Sequence, residues 1–188
     1  TSADKAAISA NSNGGNISLT NVDIPTFAAT SSGATRSLKG IYTFSEGGDT
    51  LIDVRGNTIE AEREGIEVVN GVRVPLTSGS PPLPSLPSGK IDLNAGPVSS
   101  MPHSAISVTN RSDAEAATTE VTIHGAVSTE SSSPAITIAT INGATVTVAE
   151  SGSVSGASGA IDFYSTRSRG ESNDTLNLDG HIASGSVD

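Results

Sequence analysis

The chain has 188 residues and a formal net charge of −10, with ten basic side chains against twenty acidic ones and no cysteine. That balance excludes nucleic acid and an anionic membrane surface as partners, since both require clustered Lys and Arg. The missing thiols exclude a disulfide framework, a thiolate metal site and a cysteine nucleophile. With aromatic residues at 3% and no tryptophan, the core is expected to be aliphatic.

The N-terminal Thr1-Ser2-Ala3-Asp4-Lys5 carries no charged-then-apolar leader, so a secreted chain is expected here in processed or excised form. Ile17-Ser18-Leu19 and Val22-Asp23-Ile24 read as the first strands of a degenerate coil, with Gly40-Ile41-Tyr42-Thr43-Phe44 as its closing strand. Residues 1–49 are expected to form that irregular start, and 50–188 the regular part of a single unit.

From residue 50 onward one cassette recurs. Ile52-Asp53-Val54 precedes Gly65-Ile66-Glu67-Val68, and Ile91-Asp92-Leu93 precedes Ala105-Ile106-Ser107-Val108. Val121-Thr122-Ile123 precedes Ala135-Ile136-Thr137-Ile138, and Val146-Thr147-Val148 precedes Ala160-Ile161-Asp162-Phe163. The leading apolar residues of each pair stand 14, 15, 15 and 15 positions apart. Between them lies a glycine followed by an apolar residue: Gly56 and Ile59, Gly96 and Val98, Gly125 and Val127, Gly152 and Val154. A fifth cassette opens at Leu176-Asn177-Leu178 and runs through Gly180 and Ile182, and its incompleteness leads us to expect a segment of a longer protein.

Apolar and polar residues alternate over three to five positions and are rich in Val, Ile and Thr, which reads as strands with one buried face; helical spacing is missing. Such a unit cannot bury its own apolar face, so successive units must stack and share a core. The expected fold is all-β, a parallel β-helix of about five or six coils, roughly 25 Å long at ~4.8 Å per coil. The return from each second strand to the next cassette varies, at 25, 15, 10 and 15 residues. Residues 69–90, 109–120, 139–145 and 164–175 are therefore expected to emerge at one corner, where insertion carries little entropic cost. The longest excursion, 75–90, holds five of the nine prolines, Pro81, Pro82 and Pro84 among them. It is expected to run as an extended, partly polyproline loop.

Few side chains suggest chemistry. Glu60, Glu62, Arg63, Glu64 and Glu67 make the densest charged patch, suited to a basic partner, to a divalent cation or to plain solvation. Pro81, Pro82 and Pro84 in the long loop, with Arg167 and Arg169 in a later one, complete the candidate ligand-binding set. The outward residues of the first strands are Asp53, Asp92, Thr122, Thr147 and Asn177. If Asp53 and Asp92 were strand neighbours at ~4.8 Å, they would approach the separation of a retaining glycosidase pair. No lysine or arginine base accompanies them other than Arg55, two positions along the same strand. His103, His124 and His181 fall at different places in their coils, so no metal site is expected. No serine sits in a Gly-x-Ser-x-Gly elbow. No catalytic residue and no cofactor is assigned.

Phrases such as Thr145-Val146-Thr147-Val148-Ala149-Glu150-Ser151-Gly152-Ser153-Val154-Ser155-Gly156, then Gly159-Ala160-Ile161-Asp162-Phe163, resemble the passenger region of classical (type V) autotransporters of Gram-negative bacteria. Asp174-Thr175-Leu176-Asn177-Leu178-Asp179-Gly180-His181-Ile182 is similar to a further coil of such passengers. The likeness covers about residues 50–188 and is one of style. It implies a right-handed β-helix, anchored at the outer membrane through a downstream β-barrel translocator or shed from it, acting as an adhesin or other virulence factor. Two-partner secreted exoproteins share the coil architecture, and no serine-protease subdomain is recognisable. The expected partner is a host-cell-surface or extracellular-matrix molecule, or another copy of the protein. The alternatives are a polysaccharide-acting enzyme and a structural stem.

Overall fold

Short segments of Val, Ile and Thr with period-2 alternation favour pleated backbone that is buried on one side. The computed structural model describes residues 5–24, 38–71, 89–101, 103–112, 114, 116–165 and 173–184, and they form a parallel β-helix of six coils. The first coil holds β1 (Lys5–Ser12), β2 (Ile17–Thr20) and a single bridge at Ile24. The second holds β3 (Leu38–Ser45), β4 (Thr50–Val54) and β5 (Ile59–Ala61), and the third β6 (Ile66–Asn70), β7 (Ile91–Ala95) and β8 (Val98–Ser100). Then come β9 (Ile106–Asn110), β10 (Thr119–Ile123) and β11 (Ala126–Thr129), followed by β12 (Ile136–Thr140), β13 (Thr145–Val148) and β14 (Ser153–Gly156). The sixth coil is β15 (Ile161–Ser165), β16 (Thr175–Leu178) and β17 (His181–Ser184).

Each coil from the second to the sixth gives one strand to each of three sheets, and the first gives one each to two of them and the Ile24 bridge to the third. Sheet A runs β1-β3-β6-β9-β12-β15, sheet B β2-β4-β7-β10-β13-β16, and sheet C β5-β8-β11-β14-β17. Every ladder is parallel and in register, so like stacks on like. In sheet A, Ile41, Ile66, Ile106, Ile136 and Ile161 form one inward row. In sheet B the row is Ile52, Leu93, Val121 and Val146, and in sheet C it is Ile59, Val98, Val127 and Val154. These are at most 1% exposed, apart from the partly buried Ile161. At ~1.5–3 kcal/mol per fully buried aliphatic side chain, these rows supply most of the drive to stack.

The register corrects three expectations. First, Ile91 is level with Thr50 and Thr119, and the mate of Ile52 and Val121 is Leu93. Ile91, Leu93 and Ala95 all face inward, and the inward neighbours of Ile91 are threonines whose hydroxyls disguise them as surface residues. The true spacing of the second cassette, from Leu93 to Ile106, is 13 residues. Second, within the irregular start β1 precedes the strand expected first, at Ile17, and pairs with β3; its Ala- and Ser-rich composition hid it. Third, the corners other than A-to-B also vary, in compensating fashion. The B-to-C turn takes 55–58, 96–97, 124–125 and 149–152, while the C-to-A turn takes 62–65, 101–105, 130–135 and 157–160. From the second coil onward the large differences do sit between sheets A and B, from 46–49 to 71–90, whereas ahead of it residues 25–37 make a long connection at the C-to-A corner.

Buried polar side chains manage that corner. The inward row Ser45, Asn70, Asn110 and Thr140 ends sheet A. Asn70 and Asn110 each donate Nδ2 to the Gly89 carbonyl at 2.9 Å, and Asn70 Oδ1 accepts from the Gly47 amide at 3.1 Å. Asp49 Oδ1 accepts from the Lys90 amide at 2.9 Å. The long connection is thus clipped at its return end by bonds that satisfy buried groups, as the low-dielectric interior demands. Residues 72–88, with Pro81, Pro82 and Pro84, lie outside the described residues, as do Arg167 and Arg169.

Candidate functional site

The charged patch of the third and second coils divides in two because the chain turns a corner inside it. Glu60, on β5, points outward from sheet C and is level with Ser99, Ser128 and Ser155 on successive strands. Glu62 follows the strand. Together with Ser99, Met101, Ser128 and Glu130 these residues line a groove of about 270 Å³. Its floor is tied by a small network in which Ser100 Oγ and Thr129 Oγ1 both donate to the His103 carbonyl, at 2.6 and 2.7 Å. The volume lies below the ~300–1,000 Å³ of small-molecule sites, so the groove suits a side chain or strip of a larger partner rather than an enclosed ligand. Met101 is 64% exposed at its rim.

Glu64 and Glu67 meet Lys39 on β3, and Arg63 stands beside Glu64. Lys39 Nζ makes a direct ion pair with Glu67 Oε2, lies 3.8 Å from Glu64 Oε2, and stands 5.3 Å from the centroid of the Tyr42 ring. Arg63 Nε is 3.5 Å from Glu64 Oε2. Neither contact to that oxygen has hydrogen-bond geometry, so Glu64 Oε2 is buried without a hydrogen bond. Three of the five patch residues therefore form an internal charge cluster between coils, and Glu60 and Glu62 face solvent as a binding surface would. Lys39 was legible in principle: it precedes Ile41 by two residues as Glu64 precedes Ile66, and those isoleucines are register mates. Met101 and Glu130 had no sequence signal, because they join the groove only by the handover between coils.

The carboxylate pair considered for polysaccharide chemistry does not form. Asp53 is level with Asn94, whereas Asp92 is level with Leu51 and Glu120. Asp53 is instead held by Arg55, which donates from Nε to Oδ1 at 2.9 Å and from Nη2 to Oδ2 at 2.7 Å. That side-chain grip holds the Asp53 carboxyl below the usual carboxylate range, with slight burial opposing it. Asp92 Oδ1 accepts from Asn94 Nδ2 at 2.9 Å. The outward row is Asp53, Asn94, Thr122, Thr147 and Asn177, and its one carboxylate is already paired.

The histidines lie at three places: His103 in the turn from C to A, His124 in the turn from B to C, and His181 at the start of β17. Among the described residues no group of three His, Cys, Asp or Glu side chains is arranged to hold a metal ion. No protein-family model matches the chain, and neither does any curated protein or any solved structure.

Proposed function

We propose that this chain is an adhesive module of a passenger-type protein, displayed at or released from a Gram-negative cell surface, that contacts a host-surface or matrix molecule through the A-to-B insert and the sheet C groove. One observation carries the reading: from the second coil onward a regular aliphatic stack carries its longest excursions at the A-to-B corner, and clips the longest there through Asn70, Asn110 and Gly89. A rigid scaffold that presents its longer loops along one ridge over most of its length is an economical way to display recognition segments. The repeat phrases quoted above support the bacterial-surface setting.

The test uses solid-phase binding of the purified chain to host-cell and matrix extracts. One variant has residues 73–87 replaced by a short Gly-Ser link, which spares Gly89; another carries Glu60→Gln and Glu62→Gln. Loss of binding in the first assigns the contact to the insert, and loss in the second assigns it to the groove. A stem that only carries a distal tip is the second reading, favoured by the short hydroxyl side chains along sheet C; it predicts that the intact chain binds nothing in the same assay.

A further inference from the structure

We propose that Lys39 and Glu67 become joined by an intramolecular amide bond between Nζ and Cδ, with the Glu64 carboxylate relaying the protons. The three groups sit where the second and third coils meet, on strands whose backbones are already bonded. Gly40 N donates to Glu64 O at 3.0 Å and Ile41 N to Gly65 O at 2.8 Å, which fixes the strand positions from which the three side chains reach one another. Lys39 Nζ contacts the Glu67 carboxylate directly, and the side chains of Lys39, Glu64 and Glu67 are 10%, 13% and 21% exposed. Nucleophile and electrophile are thus held in contact with little water between them, the situation in which intramolecular reactions reach effective molarities of about 10⁵–10⁸ M.

Condensation balances without a co-reactant. The ammonium and carboxylate first exchange one proton, giving amine and carboxylic acid. The amine lone pair of Lys39 then attacks Cδ of Glu67, and the Cδ–O bond breaks. Of the three ammonium hydrogens one stays on the amide nitrogen, and two leave with the carboxylate oxygen as water. Glu64 Oε2, buried with no hydrogen bond and 3.8 Å from Nζ, has the free lone pair needed to carry a proton from nitrogen to the departing oxygen. Afterwards Glu64 retains its charge beside Arg63. The product replaces a poorly hydrated ion pair, which pays heavily in lost solvation, by a neutral amide. It also gives a chain without cysteine a covalent tie between neighbouring coils.

The test is the intact mass of the purified full chain under denaturing conditions, followed by proteolytic mapping. The expected result is a mass one water below that of the sequence, with a branched peptide linking the segments that contain Lys39 and Glu67. The variants Lys39→Arg and Glu64→Ala should return the full mass while keeping the wild-type circular dichroism. A wild-type mass equal to the sequence value overturns the proposal and leaves a plain ion pair. A missing water mapped elsewhere, as by succinimide formation at Asp179-Gly180, overturns it equally. Should a variant fail to fold, the wild-type mass and peptide map still decide.

Discussion

Arg55 holds both oxygens of Asp53, so the proton on Asp53 reports the pair. Because the folded-state carboxyl is lowered, its contribution to stability is present above the unfolded-state value and is lost as pH falls through the folded one. Arg55→Ala should move the Asp53 titration midpoint, followed by carboxyl carbon NMR, up toward that of an ordinary aspartate. Stability at neutral pH should change little, since pairs exposed to water contribute little. The buried asparagines are a different case. Asn110 donates to Gly89 O and to Thr119 Oγ1, while its own Oδ1 accepts from the Ser112 amide at 3.2 Å. Asn110→Ala strands buried partners, and chemical denaturation should show a loss of about 1–3 kcal/mol.

At the level of the element, the glycines that look alike in the repeat are not equivalent. A Cβ on Gly152 would collide with the Ile123 carbonyl oxygen of the coil below, whereas one on Gly56 meets nothing within 4 Å. Gly152→Ala should therefore cost about 1–3 kcal/mol by overpacking, and Gly56→Ala should be close to neutral in the same thermal melt. The compensating lengths of the B-to-C and C-to-A turns explain why a repeat aligned by eye holds together: each arc must deliver its next strand to a fixed ladder, and a slip of one residue would turn the apolar set outward. The A-to-B connection carries no such constraint. Replacing residues 73–87 by a short link should shift stability by well under ~1 kcal/mol, because loop-closure entropy changes only ~0.6 kcal/mol per doubling of length.

For the whole molecule, a stack of coils behaves as a one-dimensional array in which each unit leans on its neighbours. Ile106 is fully buried at the centre of its row, with Ile66 and Ile136 on either side. Ile106→Ala should cost about 2–5 kcal/mol. Hydrogen exchange should quicken first in β6, β9 and β12 while β1 and β2 keep their wild-type protection. Uniform acceleration along the chain would instead mean that the six coils unfold as one cooperative block.

The all-β class, the stacked coils and the inward rows through Ile66, Ile106, Ile136 and Ile161 were legible because a period of two and a repeat of near-constant length are local properties of the chain. Threonine inside β4 and β10, and the alanines and serines of β1, were not, since a short hydroxyl or methyl side chain has no strong preference for either face. The candidate patch was legible only as composition. Which glutamates face solvent at the groove, which close on Lys39, and that Asp53 stands beside Asn94 rather than Asp92 were decided by register between coils, a relation between distant residues that no local pattern contains.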